Sequence, residues 1–163
     1  MLNNIQLSPH FSLLELTESD TARQRDIANI PPPEAVENLK RLCKGTLEPL
    51  RKALGLPVII TSGYRCKELN NIVNRSSKTS QHMLGQAADF YISSAGSMRR
   101  ELLIMGFRLI ILNEDIDYDQ LILYPTFIHV SYVSRSKNRR KIIKANGHGT
   151  YCTVTREAAL CLS

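Results

Sequence analysis

The sequence predicts a single α+β domain with a mostly antiparallel sheet flanked by helices. Three observations lead there. The 163 residues suit one domain, and 43% hydrophobic with 22% charged residues gives a globular balance. Four short strand-like segments, 58–60, 87–92, 120–124 and 127–133, follow one another without a regular helix between each pair. One long segment, 34–54, repeats apolar residues at steps of three and four.

In chain order, residues 11–19 (FSLLELTES) read as a short helix. Three prolines at 31–33 form a stiff, extended connector. The helix over 34–54 presents Val36, Leu39, Leu42, Cys43, Leu47 and Leu50 on one face, with Gly55 just past its end. Pro49 should kink or divide it. Val58, Ile59 and Ile60 follow Gly-Leu-Pro and read as a strand. A short helix over 67–73, a polar loop over 74–79, a strand over 87–92 and a helix over 97–105 closed by Gly106 come next. Strands 120–124 and 127–133 flank a turn at Pro125-Thr126, and a tail hairpin is expected around Asn146-Gly147.

Several classes are excluded or weakened. The longest apolar stretch, 102–112, is interrupted by Gly106 and Arg108 and is too short to span a bilayer. The first twenty residues lack a basic region followed by an apolar one, so synthesis without a signal peptide is expected. Cys43, Cys66, Cys152 and Cys161 show no CxxC or CxxH spacing and read as reduced thiols rather than a structural metal set.

The chain carries 21 basic and 15 acidic residues, a net charge of +6. Seven basic residues and one acidic residue fall in the segment 135–163, so the first 134 residues are neutral. The cluster Arg135, Lys137, Arg139, Arg140, Lys141 and Lys144 could contact an anionic polymer such as nucleic acid, teichoic acid or a membrane surface, or form a solvated face. No aromatic residue interleaves with it, which counts against a stacking nucleic-acid site. A nucleic-acid binder would also leave the histidines described next without a role.

Of four histidines, His82 lies in the segment SQHMLGQAAD and His129 lies inside a strand. Strand alternation would place Phe127, His129 and Ser131 on one face. Asp89 sits mid-strand between apolar neighbours, and burying a carboxylate costs free energy unless a cation or donors meet it. A divalent ion held by His82, Asp89 and His129 would account for all three residues together. Two imidazoles and a carboxylate suit zinc, with a fourth position open to water. Spacing alone leaves separately satisfied histidines and a capped aspartate as the alternative.

The segments HFSLLELTESDTA (10–22), ITSGYRCKELN (60–70), SQHMLGQAADF (80–90), YDQLI (118–122) and FIHVSY (127–132) add a resemblance. Together they resemble the zinc D-alanyl-D-alanine carboxypeptidase family, which includes D-Ala-D-Ala dipeptidases and phage L-alanyl-D-glutamate endolysins. The likeness is greatest to its short members without signal peptides. It implies one zinc peptidase-like domain over 1–163 with the hedgehog/D,D-peptidase fold. It implies His82, Asp89 and His129 as zinc ligands, Arg65 as the group that holds substrate carboxylate or carbonyl oxygens, and Ser80 as a donor to a peptide carbonyl. Family members carry an acid three residues before the last histidine, as general base; here that residue is Thr126. Asp119 is then the expected base, ahead of Asp117, Asp115 and Glu114. His10 is expected to be structural and His148 a surface residue.

The function expected from the resemblance is zinc-dependent hydrolysis of peptidoglycan stem peptides, of carboxypeptidase or endolysin type. The expected chain is a monomer made in the cytoplasm and acting on the cell wall after release. The alternative is a catalytically weak zinc-binding module that grips peptidoglycan or a protein partner.

Overall fold

The computed structural model describes residues 5–73, 77–93, 99–146 and 149–162. Its sheet of six strands runs in the order β3 (Val58–Ser62), β4 (Ala87–Ile92), β6 (Ile128–Ser131), β5 (Gln120–Leu123), β7 (Lys141–Ala145) and β8 (Tyr151–Thr153). Every adjacent pair is antiparallel except β5 with β7. Helices α2 (Pro33–Leu42), α3 (Glu48–Leu54), α4 (Lys67–Ile72), α5 (Arg99–Leu112) and α6 (Arg156–Leu160) accompany it, so the mixed α+β class with a mostly antiparallel sheet holds. Two small strands, β1 (Gln6–Ser8) and β2 (Phe11–Ser12), pair separately.

Alternation along the central strands sorts their two faces. Ala88, Phe90, Leu121, Leu123, Ile128 and Val130 are buried and join a core with Leu103 and Phe107 of α5 and Leu39, Leu42, Leu47 and Leu50 of the first helices. The intervening residues, Asp89, Ile122 and His129, face a cleft on the other side. No helix among the described residues is long and apolar enough to cross a membrane.

Three local expectations are corrected. Residues 11–19 are not a helix: Phe11 and Ser12 form a strand, and turns follow, tied by Ser12 Oγ accepting from Glu15 N–H. Phe11, Leu13 and Leu16 are all buried, a spacing that no single helical face supplies. The helix begins only at α1 (Asp20–Gln24), where Ser19 Oγ accepts from Ala22 N–H. Second, α5 does not stop at Gly106 but runs on to Leu112, and the bare face of Gly106 packs against Ile92. The expected start of that helix, residues 97 and 98, lies outside the described residues. Third, Pro33 is not part of the connector but the first residue of α2, a position where its missing N–H costs nothing.

The division expected at Pro49 appears one turn earlier, as a π-helical segment over Cys43–Leu47 joining α2 to α3. Proline has no N–H to give the carbonyl of Gly45 four residues back. That carbonyl accepts instead from Asp117 N–H at 3.0 Å, while Thr46 Oγ1 donates to the Asp117 carbonyl at 2.5 Å. The break in the helix therefore anchors the chain just ahead of β5. The tail hairpin is present as β7 and β8, with Ala145 opposite Tyr151; Gly147 of its turn lies outside the described residues.

Candidate metal centre and active-site cleft

Register brings two of the three expected ligands together. Across β4 and β6, Asp89 stands directly opposite His129, and across β5 and β6 His129 stands opposite Ile122. His82 arrives from outside the sheet, on a 3₁₀ turn over Gln81–Leu84. Ser80 Oγ caps that turn by accepting from His82 N–H at 3.4 Å. Gly85 ends it with φ +67°, a left-handed conformation that favours glycine, and a Cβ there would meet the Ala35 carbonyl oxygen at 2.3 Å.

The donor atoms converge. His82 Nε2 is 3.2 Å from His129 Nδ1 and 3.4 Å from Asp89 Oδ1, and His129 Nδ1 is 2.7 Å from Asp89 Oδ1. One ligand atom from each residue lies within 4.8 Å of the others. The tautomer of His82 follows from its second nitrogen: Nδ1 is 2.7 Å from the Gly63 carbonyl, which only accepts, so Nδ1 carries the proton. Nε2 then carries a lone pair, on the side where Asp89 Oδ1 and His129 Nδ1 also lie. A carbonyl that fixes a ring in this way is the usual support of a metal-bound histidine.

The electrostatics agree with that state. Burial lowers the pKa of His82 and outweighs the pull of Asp89, so the ring is neutral. Burial opposes ionisation of Asp89, yet the two imidazoles packed against it prevail and hold its carboxyl far below the usual range. Two imidazole nitrogens and one carboxylate oxygen are a fitting set for a divalent ion of the zinc type.

Arg65 lies beside the triad. Its backbone N–H donates to the His82 carbonyl at 3.2 Å, and its Nη2 is 3.8 Å from Asp89 Oδ2. The residue is 9% exposed, and its buried Nε has no hydrogen-bond partner among the described residues. Buried guanidinium nitrogens are seldom left so, and this one lines a cleft of 1010 Å³ together with the triad and Ser80.

Asp119 and Thr126 also line that cleft. The Asp119 carboxylate accepts from Arg139 Nε at 2.9 Å, Arg139 Nη2 at 2.5 Å, Arg139 backbone N–H at 2.9 Å and Gln81 Nε2 at 3.0 Å. Burial would raise its pKa, but the Arg139 and Gln81 donors hold it down at about 2. Two of the cations in the basic segment are thus committed inward, Arg139 to Asp119 and Arg140 to Asp117. Asp117 is buried and, like Asp115 and Glu114, outside the cleft wall. His10 pairs with Glu48 at 2.9 Å and also lies away from the cleft; His148 is outside the described residues.

Sequence reading missed three cleft residues: Gln81, Tyr124 and Arg139. Gln81 stood beside His82 in the motif. Tyr124 was readable from alternation, because it falls two residues past the cleft-facing Ile122, just beyond the end of β5. Arg139 had no such signal, since only the fold brings it to Asp119.

No curated protein matches the chain. The family model described as Peptidase M15 matches residues 9–108. The match takes in Arg65, Ser80, His82 and Asp89 and ends before Asp119 and His129, which the sheet then adds to the same cleft. With its mixed fold, its His-Asp-His group able to hold a metal, and this match over more than half its length, the chain belongs to the M15 peptidase family.

Proposed function

We propose that the protein is a zinc-dependent metallopeptidase that hydrolyses peptidoglycan stem peptides, with His82, Asp89 and His129 as the metal ligands. The observation that carries this reading is the convergence of those three side chains, with His82 held in its ligating tautomer by Gly63 and an unsatisfied arginine beside them. A zinc ion in that position supplies a Lewis acid that polarises a peptide carbonyl and makes water a nucleophile near neutral pH.

The chain's own residues do the rest. Hydrolysis breaks the peptide C–N bond, joins a water oxygen to the carbonyl carbon and passes a water proton to the leaving amine. Arg65 offers its buried guanidinium to a substrate carboxylate, the pairing for which that planar fork is suited. Ser80 Oγ lines the cleft next to His82 and can donate to a peptide carbonyl while its lone pairs cap the turn.

Asp119 enters the reading with a different weight from the one its motif suggested. A carboxylate held at about pKa 2 by an arginine fork is a weak proton acceptor at neutral pH. We assign it to positioning: it fixes Gln81 at the entrance of the 3₁₀ turn and Arg139 on the cleft rim. Asp89 and Asp119 are the carboxylates among the described cleft residues, and Thr126 offers none. That favours slow turnover, and it is the observation behind a second reading, a zinc-holding module that binds stem peptides without cutting them. Lys137, Lys141 and Lys144 remain available to an anionic wall polymer.

Mass spectrometry of purified peptidoglycan incubated with the zinc-loaded protein tests both. New amino termini that disappear with a strong chelator support the peptidase; retention of peptidoglycan without new termini supports the module.

A further inference from the structure

We propose that Tyr124 is a catalytic hydrogen-bond donor, whose phenol hydroxyl donates to the scissile carbonyl oxygen as negative charge develops on it. The proposal rests on the peptidase reading and adds to it a donor for the developing oxyanion, a role separate from the proton acceptor that Thr126 does not supply.

Register places the side chain. Gln120 pairs with Ser131 and Ile122 with His129 across β5 and β6, and successive residues of a strand alternate faces. Gln120, Ile122 and Tyr124 therefore share the face that carries His129 and Asp89, and all three line the cleft. The hairpin holds the backbone at this point, because Tyr124 N–H donates to the Phe127 carbonyl at 3.0 Å around the Pro125-Thr126 turn.

Packing holds the ring. It stacks on Phe127 with centroids 4.2 Å apart and planes 14° from parallel, and it meets Tyr151 edge-on at 6.2 Å. A ring sandwiched in this way has few rotamers left, so its hydroxyl is preorganised. In the free protein that hydroxyl donates to the Tyr151 hydroxyl at 3.4 Å, a long bond that a charged oxygen readily displaces.

Tyr124 lines the same cleft as Asp89, His129 and Arg65. Burial, then Tyr151, push its pKa up, so it stays protonated and serves as a donor, never as a base. It gives up no proton during the reaction; the proton taken from water ends on the leaving amine. The other donors near the triad are less free for this task. Ser80 sits on the 3₁₀ turn, where its O–H is assigned to another peptide carbonyl of the bound chain, and Arg65 is the group suited to a carboxylate.

The test compares zinc-loaded wild type with Tyr124→Phe, which keeps the stacked ring and removes only the hydroxyl. The probes are peptide phosphinates built on D-alanyl-D-alanine and on L-alanyl-D-glutamate, whose tetrahedral P–O⁻ imitates the developing oxyanion. Titration calorimetry reads affinity, and amine release from muropeptides reads kcat and KM. We expect Tyr124→Phe to bind the better phosphinate about 100-fold more weakly and to lose about 100-fold in kcat, with KM within about threefold. Zinc stoichiometry and melting temperature should match wild type. Tyr124→His, which retains an N–H donor, should recover part of the loss. Equal phosphinate affinity and equal kcat in wild type and Tyr124→Phe would overturn the assignment while leaving the peptidase reading intact. A wild type that binds neither phosphinate and releases no amine would overturn both.

Discussion

His129 Nδ1 lies 2.7 Å from Asp89 Oδ1, and the two residues are direct partners across β4 and β6. The sheet itself thus builds two thirds of the group that could hold a metal, and only His82 has to be delivered separately. Removing the strand carboxylate should therefore remove the site. Asp89→Ala is expected to weaken zinc binding by more than about 100-fold, beyond the range typical of residues that only support a ligand. Asp119→Ala should still bind one zinc per chain. Competition with a chromophoric chelator reads both values, and a tight site in Asp89→Ala would remove that residue from the ligand set.

Gly63 is the support of His82. A Cβ at that position would meet the Leu16 carbonyl oxygen at 2.2 Å, a backbone atom that cannot step aside. Gly63→Ala should cost about 2–4 kcal/mol in urea unfolding. It should also weaken zinc binding by roughly 10–100-fold through the displaced carbonyl. A stability loss with unchanged zinc affinity would show that the Gly63–His82 bond does not orient the ligand.

The Asp119–Arg139 clamp has a pH signature. The folded pKa of Asp119, about 2, lies below its unfolded value, so the carboxylate stabilises the fold above about pH 4 and that stability is lost as pH falls through 2. Asp119→Asn should be about 2 kcal/mol less stable than wild type at pH 7, and the gap should close near pH 2. Urea unfolding across this range measures it. A gap independent of pH would mean that the side chain's shape, not its charge, holds Arg139.

Thr126 can be tested by gain of function. It lines the cleft three residues before His129, and a carboxylate placed there would be a base free of the arginine that binds Asp119. Thr126→Glu should raise the rate of amine release from peptidoglycan by roughly 10–100-fold at neutral pH, within the range for positioned general bases. No increase in a folded, zinc-loaded variant would place the proton acceptor elsewhere.

How much of this was readable in advance follows from which interactions are local. Strand β4 was legible to the residue, because Ala87 to Ile92 is a short apolar run ending in Phe-Tyr-Ile, with Asp89 on the alternate face. The triad was legible as a set of anomalies: a carboxylate and an imidazole, each inside an apolar strand. The segment 11–19 misled because its leucines mimic helical spacing, whereas β1 and the buried Leu13 and Leu16 decide its path. The basic tail read as a solvated face or a surface for anions, whereas Arg139 and Arg140 turn back onto Asp119 and Asp117, pairings 20 and 23 residues apart that only tertiary structure can make. The motif likewise suggested Asp119 as a free base, and nothing in its neighbours announced the fork that binds it.

The most direct measurement is the anomalous scattering of zinc in crystals of the wild-type protein. A single strong peak should lie among His82 Nε2, Asp89 and His129 Nδ1, with each donor about 2.0–2.2 Å away. A crystal grown with excess zinc that shows no ion there, or an ion bound without His129, would contradict the account at its foundation.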